Sequence, residues 1–269
     1  MRLSRSTSWT FRAWGPHHRE VSLPLVVVVG IGIGFAFGLF GAGGSAFATP
    51  VLALMGVPAP IAVASPLPAV LPAALLSARE YLRAGMLDRR VARLAVLAGV
   101  PMVLIGAFAS RIVSGQWLLI LSGLLVLGVG VRMVVPTRSG RSVRCAARLD
   151  STTLVVVLVA MAGFVAGLLA TGGGILLVPI FVMVLGFTTA RAAGTSLVVV
   201  AALTVPTITA HWFLGNIDWS IAAAFALGMI PTSFVAARLG PRLPDRITRP
   251  LFGAVLLVFS LFFVVSQFG

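Results

Sequence analysis

The chain is 269 residues long, 59% hydrophobic and 10% charged, and its 20 basic residues, all arginine, outnumber six acidic ones to give a net charge of +14. No soluble domain of this length has an interior large enough to bury so much apolar surface. The arginines lie between uncharged runs, where cytoplasmic loops of membrane proteins carry them, and this sets nucleic-acid binding aside.

The uncharged runs at 21–78, 94–110, 112–131, 151–190, 192–217, 219–237 and 250–269 hold about eight crossings at about 20 residues each. The fold class is therefore an all-α polytopic membrane protein. The alternating ten-residue segments of a membrane β-barrel are absent from the sequence.

A basic tail (1–22) comes first, with Arg2, Arg5, Arg12 and Arg19. A span is predicted over 23–40, and it runs into "GLFGAGGSAFATP" (38–50). Glycine costs about 1 kcal/mol against alanine in a helix interior, and proline about 3. The stretch therefore reads as a break, followed by a short apolar piece at 46–55. Ala46-Phe47-Ala48 has the small-x-small pattern of a signal cleavage site, but the apolar run continues well past it, so no cleavage is expected.

Spans at 61–79, 93–110 and 117–135 complete the first half. An arginine-rich stretch (132–150) follows, with five arginines and the single cysteine, Cys145, so no internal disulfide can form. The second half repeats the order: a span at 154–170, a break, a short piece at 175–185, and spans at 191–211, 219–238 and 250–268. Each short piece reaches only about 15 Å at 1.5 Å per residue, half a bilayer. The chain thus divides into the tail, a first repeat over 23–136, a linker over 137–150 and a second repeat over 151–269. The expected inventory is eight full spans and two half-helices.

The duplication is visible residue by residue. "GFAFGLFGAGGSAFATP" (34–50) and "GFVAGLLATGGGILLVP" (163–179) share seven of seventeen residues. With one residue inserted the match continues, pairing Gly56 with Gly186, Leu67 with Leu197, Gly85 with Gly215, Asp88 with Asp218, Pro101 with Pro231 and Gly123 with Gly253.

Loop charge separates the halves. The loop 79–93 carries five arginines and its counterpart 211–219 none, whereas 110–116 carries one and 238–249 four. Equivalent loops with opposite bias belong on opposite faces, so the repeats are expected to be inverted. The tail's arginines are the exception to this layout.

In hydrocarbon, non-helical backbone survives only where protein or a wet cavity receives it. Broken helices in repeated transporters line a central site, with half-helix N-termini aiming N–H groups at an anion. Gly43, Gly44 and Ser45 and their counterparts Gly172, Gly173 and Gly174 are expected as unwound backbone of this kind. Thr49 and Thr171 add hydroxyls beside the breaks. Ser65, Thr195 and Ser196 stand at corresponding positions near the next spans, where hydroxyls divide between ligand contact and bonds to their own helix. These eleven residues are the candidate substrate site.

The spacing Gly34-x-x-x-Gly38, like Gly163-x-x-x-Gly167, reads as close helix packing. The glycine runs are not phosphate loops, which need a lysine. Asp88 and Asp218 follow glycines and read as turn residues. His211, beside Trp212, reads as interfacial. No carboxylate pair, metal-ligand cluster or nucleophile–base arrangement is visible, so neither an enzyme nor a cofactor is expected.

The duplicated G-F-x-x-G-L-x-x-x-G-G-(G/S) element with its following proline resembles the sulfite exporter TauE/SafE family of membrane permeases. So do Thr195-Ser196-Leu197, the His211 to Asp218 segment and the G-x-x-P helix of the second half. The resemblance covers about residues 23 to 268. It implies a multi-pass protein of the cell's inner (plasma) membrane and a secondary transporter, an exporter, of sulfite, a sulfonate or a related organic anion. Half one departs from the pattern at Ser45, at Ser65-Pro66, and at Tyr81, which stands where His211 does.

A passive anion channel is the alternative, and a membrane enzyme a weaker one. The expected partners are a small anion, a coupling proton or other ion, and anionic lipid head groups at the linker. The oligomeric state is not readable.

Overall fold

The computed structural model describes residues 22–42, 44–110, 112–113, 124, 127–128, 151–169, 174–248, 250–255 and 257. The expected span 117–135, most of 250–268, the linker and nearly all of the tail lie outside them. So do Gly43, Thr171, Gly172 and Gly173 of the candidate site. Among the described residues the chain is helical, with no strand.

The first half contributes α1 (Leu23–Phe40), α2 (Gly44–Leu54), α3 (Ala59–Ala64), α4 (Leu67–Arg83) and α5 (Arg89–Ala109). The second contributes α6 (Ser151–Leu168), α7 (Gly174–Met183), α8 (Thr189–Phe213) and α9 (Trp219–Leu239), followed by a 3₁₀ turn, Gly240–Arg242. Five stretches are long and apolar enough to cross a membrane: Leu23–Phe40, Ala59–Arg83, Arg89–Ala109, Thr189–Phe213 and Trp219–Arg242. The apolar part of α6, Val156–Leu168, is shorter.

Two expected boundaries change. The span predicted at 61–79 is interrupted after α3, at Ser65 and Pro66, where prolines withdraw backbone donors. The long loop predicted at 79–93 shrinks to residues 84–88, because α4 and α5 extend toward it from both sides. The turn is tight because Gly85 has φ 72° and lets the Met86 N–H reach back to the Tyr81 carbonyl at 2.9 Å. The equivalent turn in half two uses Gly215 (φ 69°) and bonds Asn216 N–H to the His211 carbonyl.

Glycine decides which helices touch. On α1, Gly30 faces Phe225 and Met229 of α9, Gly34 faces Met229 and Thr232, and Gly38 faces Ser233. The residue numbers rise together, so α1 and α9 run side by side in the same direction. On α6, Gly163 faces Gly99 of α5 and Gly167 faces Val103 and Ala107, again in parallel. A Cβ at Gly34 would stand 2.6 Å from the Met229 carbonyl oxygen, and one at Gly163 2.8 Å from that of Gly99. At Gly38 and Gly167 it would collide with the carbonyls of Ser233 and Val103. Small residues thus let two backbones meet where lipid offers no competing hydrophobic drive.

The helix ends sort into two groups. Ser77 Oγ donates to the Ser233 carbonyl (3.3 Å) and Glu80 meets Arg238 (3.5 Å), so α4 runs parallel to α9 and the C-termini of α1, α4 and α9 share one end. There α5 begins, and so does α8, whose Arg191 pairs with Asp88 at 2.7 Å. The last turn of α8 lies at the far end, where His211 approaches Gly167. All described arginines belong to the first end: Arg79, Arg83, Arg89, Arg90, Arg93, Arg191, Arg238, Arg242 and Arg246. The far end carries Trp212, Phe213 and Trp219, each more than half exposed, with the two tryptophans edge to face at 6.3 Å.

This packing makes a clean prediction. Gly38→Ala and Gly167→Ala should each lower the yield of monodisperse protein in detergent several-fold, because the added methyl displaces a backbone. Gly32→Ala should not, since nothing lies within 4 Å of its Cβ position. Size-exclusion profiles of the three variants check this; three equal profiles would contradict the packing.

Candidate functional site at the helix breaks

α1 stops because Gly41 takes the left-handed conformation (φ 68°, ψ 21°), with its N–H on the Phe37 carbonyl at 2.8 Å. A side chain there would be strained and would also strike Ala193. The chain re-enters a helix at Gly44. Gly44 and Ser45 therefore belong to the first turn of α2, and Gly174 opens α7. This corrects the expectation that all three would be unwound: among the described residues the non-helical backbone at the first break is 41–42. The functional consequence is unchanged in kind, because the first-turn N–H groups of a helix have no intrahelical acceptor and sit at its positive end.

The first residue of α7 adjoins the break that follows α1. A Cβ at Gly174 would lie 3.1 Å from the Gly41 oxygen, 3.2 Å from the Ala42 Cα and 2.9 Å from Val200. Ser196 Oγ donates to the Gly41 carbonyl at 2.6 Å, with the Ala193 carbonyl at 3.0 Å. Thr49 Oγ1 donates to the Ser45 carbonyl of its own helix at 3.0 Å. Ser45 Oγ is buried and has no partner, alone in this among the described side-chain polar atoms. A buried hydroxyl without a protein partner costs roughly 1–3 kcal/mol, which makes Ser45 Oγ the available side-chain donor at this break. The structure thus brings Gly44, Ser45, Thr49, Gly174 and Ser196 to the region of the breaks.

Ser65 and Thr195 are placed elsewhere, and they perform matched tasks. The Asp88 N–H donates to Thr195 Oγ1 (3.1 Å), and the Asp218 N–H donates to Ser65 Oγ (2.9 Å). Each aspartate also caps its following helix: Asp88 Oδ1 accepts from the Arg90 and Val91 N–H groups, and Asp218 Oδ1 from those of Ser220 and Ile221. Each inter-span turn of one half is thereby fastened to a hydroxyl of the other. The Val91 N–H, with help from Arg191, holds the Asp88 carboxyl below its ordinary value against partial desolvation. A lowered value means that the Asp88 cap and its Arg191 pair are fully present above the ordinary carboxylate range and weaken only as pH falls through the depressed one.

Tyr81 and His211 close the ends of the broken helices. The Tyr81 hydroxyl donates to the Leu39 carbonyl (2.6 Å) with Gly38 O at 3.2 Å, and His211 Nε2 stands 3.4 Å from the Gly167 carbonyl. Asn216 Nδ2 lies 3.3 Å from His211 Nδ1, an arrangement that suits the Nε2–H tautomer. His211 is buried while its neighbour Trp212 is exposed, so the interfacial position belongs to the tryptophan. The sequence signal for this pair was their equivalence in the repeat; the carbonyls they serve were not legible.

Comparison with known proteins accords with this architecture. A profile of the sulfite exporter TauE/SafE family matches residues 26–263. The chain belongs to this family. A "Probable membrane transporter protein" of Xylella fastidiosa strain 9a5c is 30% identical over 236 residues, covering 84% of this chain and 89% of the relative. Its counterpart from strain Temecula1 is 29% identical over the same span. No solved structure matches significantly. Family and helices together make the chain a multi-pass membrane protein of a transporter family.

The turn locks are testable. Thr195→Val should leave the Asp88 N–H unpaired and destabilise the protein by about 1–3 kcal/mol, and Ser65→Ala should do the same through Asp218. Thermal unfolding in one detergent measures both; an unchanged Tm in either variant would remove that lock from the account.

Proposed function

We propose that the chain is a secondary transporter, an exporter, of a small oxyanion such as sulfite, a sulfonate or a related organic anion, working by alternating access between inverted repeats in the inner membrane. The observation that carries the reading is Ser45 Oγ, a buried donor without a partner in the first turn of α2, beside the break that the start of α7 adjoins. Around it stand helix N-termini, while every described arginine is at the end of the bundle. Backbone and hydroxyl donors without a fixed counter-charge suit an anion that must also leave.

Inversion is supported by three features. The contacts of α1 with α9 recur between α6 and α5 at equivalent residues, and the two Asp–hydroxyl locks exchange between halves. The turn 84–88 and its counterpart 214–218 lie at opposite ends. The arginines collect at one of those ends and aromatic residues at the other, which fits a cytoplasmic and an external face. The candidate residues Gly43, Thr171, Gly172 and Gly173 join the site by the repeat alignment, and their backbone would supply further N–H groups.

Ser45→Ala removes one hydroxyl and keeps the backbone donors, so it should raise the KM for sulfite about tenfold, as a lost hydrogen bond to a charged group does. Maximal rate should change little. Thr209→Ala, on an exposed side chain bonded to its own helix, serves as the control. Counterflow in proteoliposomes loaded with unlabelled sulfite measures this and separates a carrier from a channel, which shows no counterflow. A Ser45→Ala variant with unaltered KM would overturn the placement of the site.

A further inference from the structure

α5 begins with two arginines on one face, Arg89 and Arg93, four residues apart. Like charges at this spacing repel on a helix surface, and among the described residues neither has a carboxylate partner. The adjacent carboxylate, Asp88, is taken by Arg191 and by the backbone N–H groups it caps. Arg93 Nε donates to the Arg89 backbone carbonyl at 3.3 Å, which draws the Arg93 side chain back toward the N-terminus of the helix. That terminus is itself positive. Three unfavourable positive features thus coincide.

The arginines open onto a groove of about 610 Å³ between α5 and α8, whose walls below them are Val96, Leu97 and Val198. Leu97 is 73% exposed, on the outer surface of the bundle. Arg89 and Arg93 stand at one end of the groove, whose lining is otherwise apolar and continues in the direction in which α5 descends from the bundle end. The equivalent positions of half two are Trp219 and Ala223, with Ala226 and Leu227 below. The repeated fold does not itself require charge at this place.

We infer that this groove is a binding site for one anionic phospholipid, with the phosphodiester between the Arg89 and Arg93 guanidiniums and an acyl chain along Val96, Leu97 and Val198. A phosphate bridging two arginines converts their repulsion into charge-assisted hydrogen bonds. The acyl chain explains why the cavity continues into apolar walls, which a free oxyanion would leave unused. The site faces the membrane and is separate from the helix breaks, so it stands whether or not the transport reading does.

The full chain reconstituted in nanodiscs of mixed phosphatidylglycerol and phosphatidylcholine, released and examined by native mass spectrometry, tests the assignment. The unaltered protein should retain phosphatidylglycerol over phosphatidylcholine by about tenfold, and Arg89→Gln with Arg93→Gln should abolish that preference. Arg89→Lys with Arg93→Lys should keep part of it. Leu97→Trp, which leaves both charges in place and fills the apolar wall, should also reduce retention, and it keeps the test decisive should the double glutamine variant fold poorly. Undiminished phosphatidylglycerol preference in both the double glutamine variant and Leu97→Trp would overturn the site. Equal thermal protection in detergent by inorganic phosphate alone, lost in the glutamine variant, would overturn the lipid and leave a free oxyanion as the ligand.

Discussion

A helix that stops among buried residues leaves its last carbonyls and the next helix's first N–H groups without intrahelical partners, and these must be paired. Everything distinctive in this structure answers that constraint. The carbonyls at the end of α1 receive donors: Tyr81 reaches Leu39 and Gly38, and Ser196 reaches Gly41. At the end of α6, His211 approaches Gly167. On the donor side, Ser45 Oγ in the first turn of α2 is buried without a partner. On the proposed reading, this donor is what an anion would meet at the break.

The close glycine contacts make this arrangement possible. Tyr81 can bridge from α4 to the end of α1 only because Gly38 lets α1 press onto α9, which itself lies against α4. The same relation holds where Gly167 lets α6 meet α5. On this common scaffold the halves have diverged in chemistry. A phenol serves one broken helix and an imidazole the other; a serine follows one pair of glycines and a glycine the other pair.

Much of the architecture was legible in the sequence because it repeats. The stop after α1 and the short helices α2 and α7 followed from glycine and proline recurring at one offset in an apolar chain. The helix-packing role of Gly34, Gly38, Gly163 and Gly167 followed from their four-residue spacing. What escaped was cross-half pairing. Nothing local in Asp88 or Asp218 announces that its N–H will find Thr195 or Ser65 more than a hundred residues away. The roles of Ser65 and Thr195 were open for that reason, and long-range contact removed them from the breaks. The extent of unwinding was overestimated because glycine runs mark where a helix can stop without marking where the next one starts.

The claim on which the transport account rests most heavily is that the two halves face opposite ways across the membrane. Single cysteines at Ala84 and Leu214, equivalent positions beside the two inter-span turns, can be introduced into a Cys145→Ser background and labelled from each side with an impermeant maleimide. The account predicts that position 84 reacts only from the cytoplasmic side, with the arginines, and position 214 only from the external side. Labelling of both positions from the same side would contradict inversion and the shared site between the breaks that depends on it.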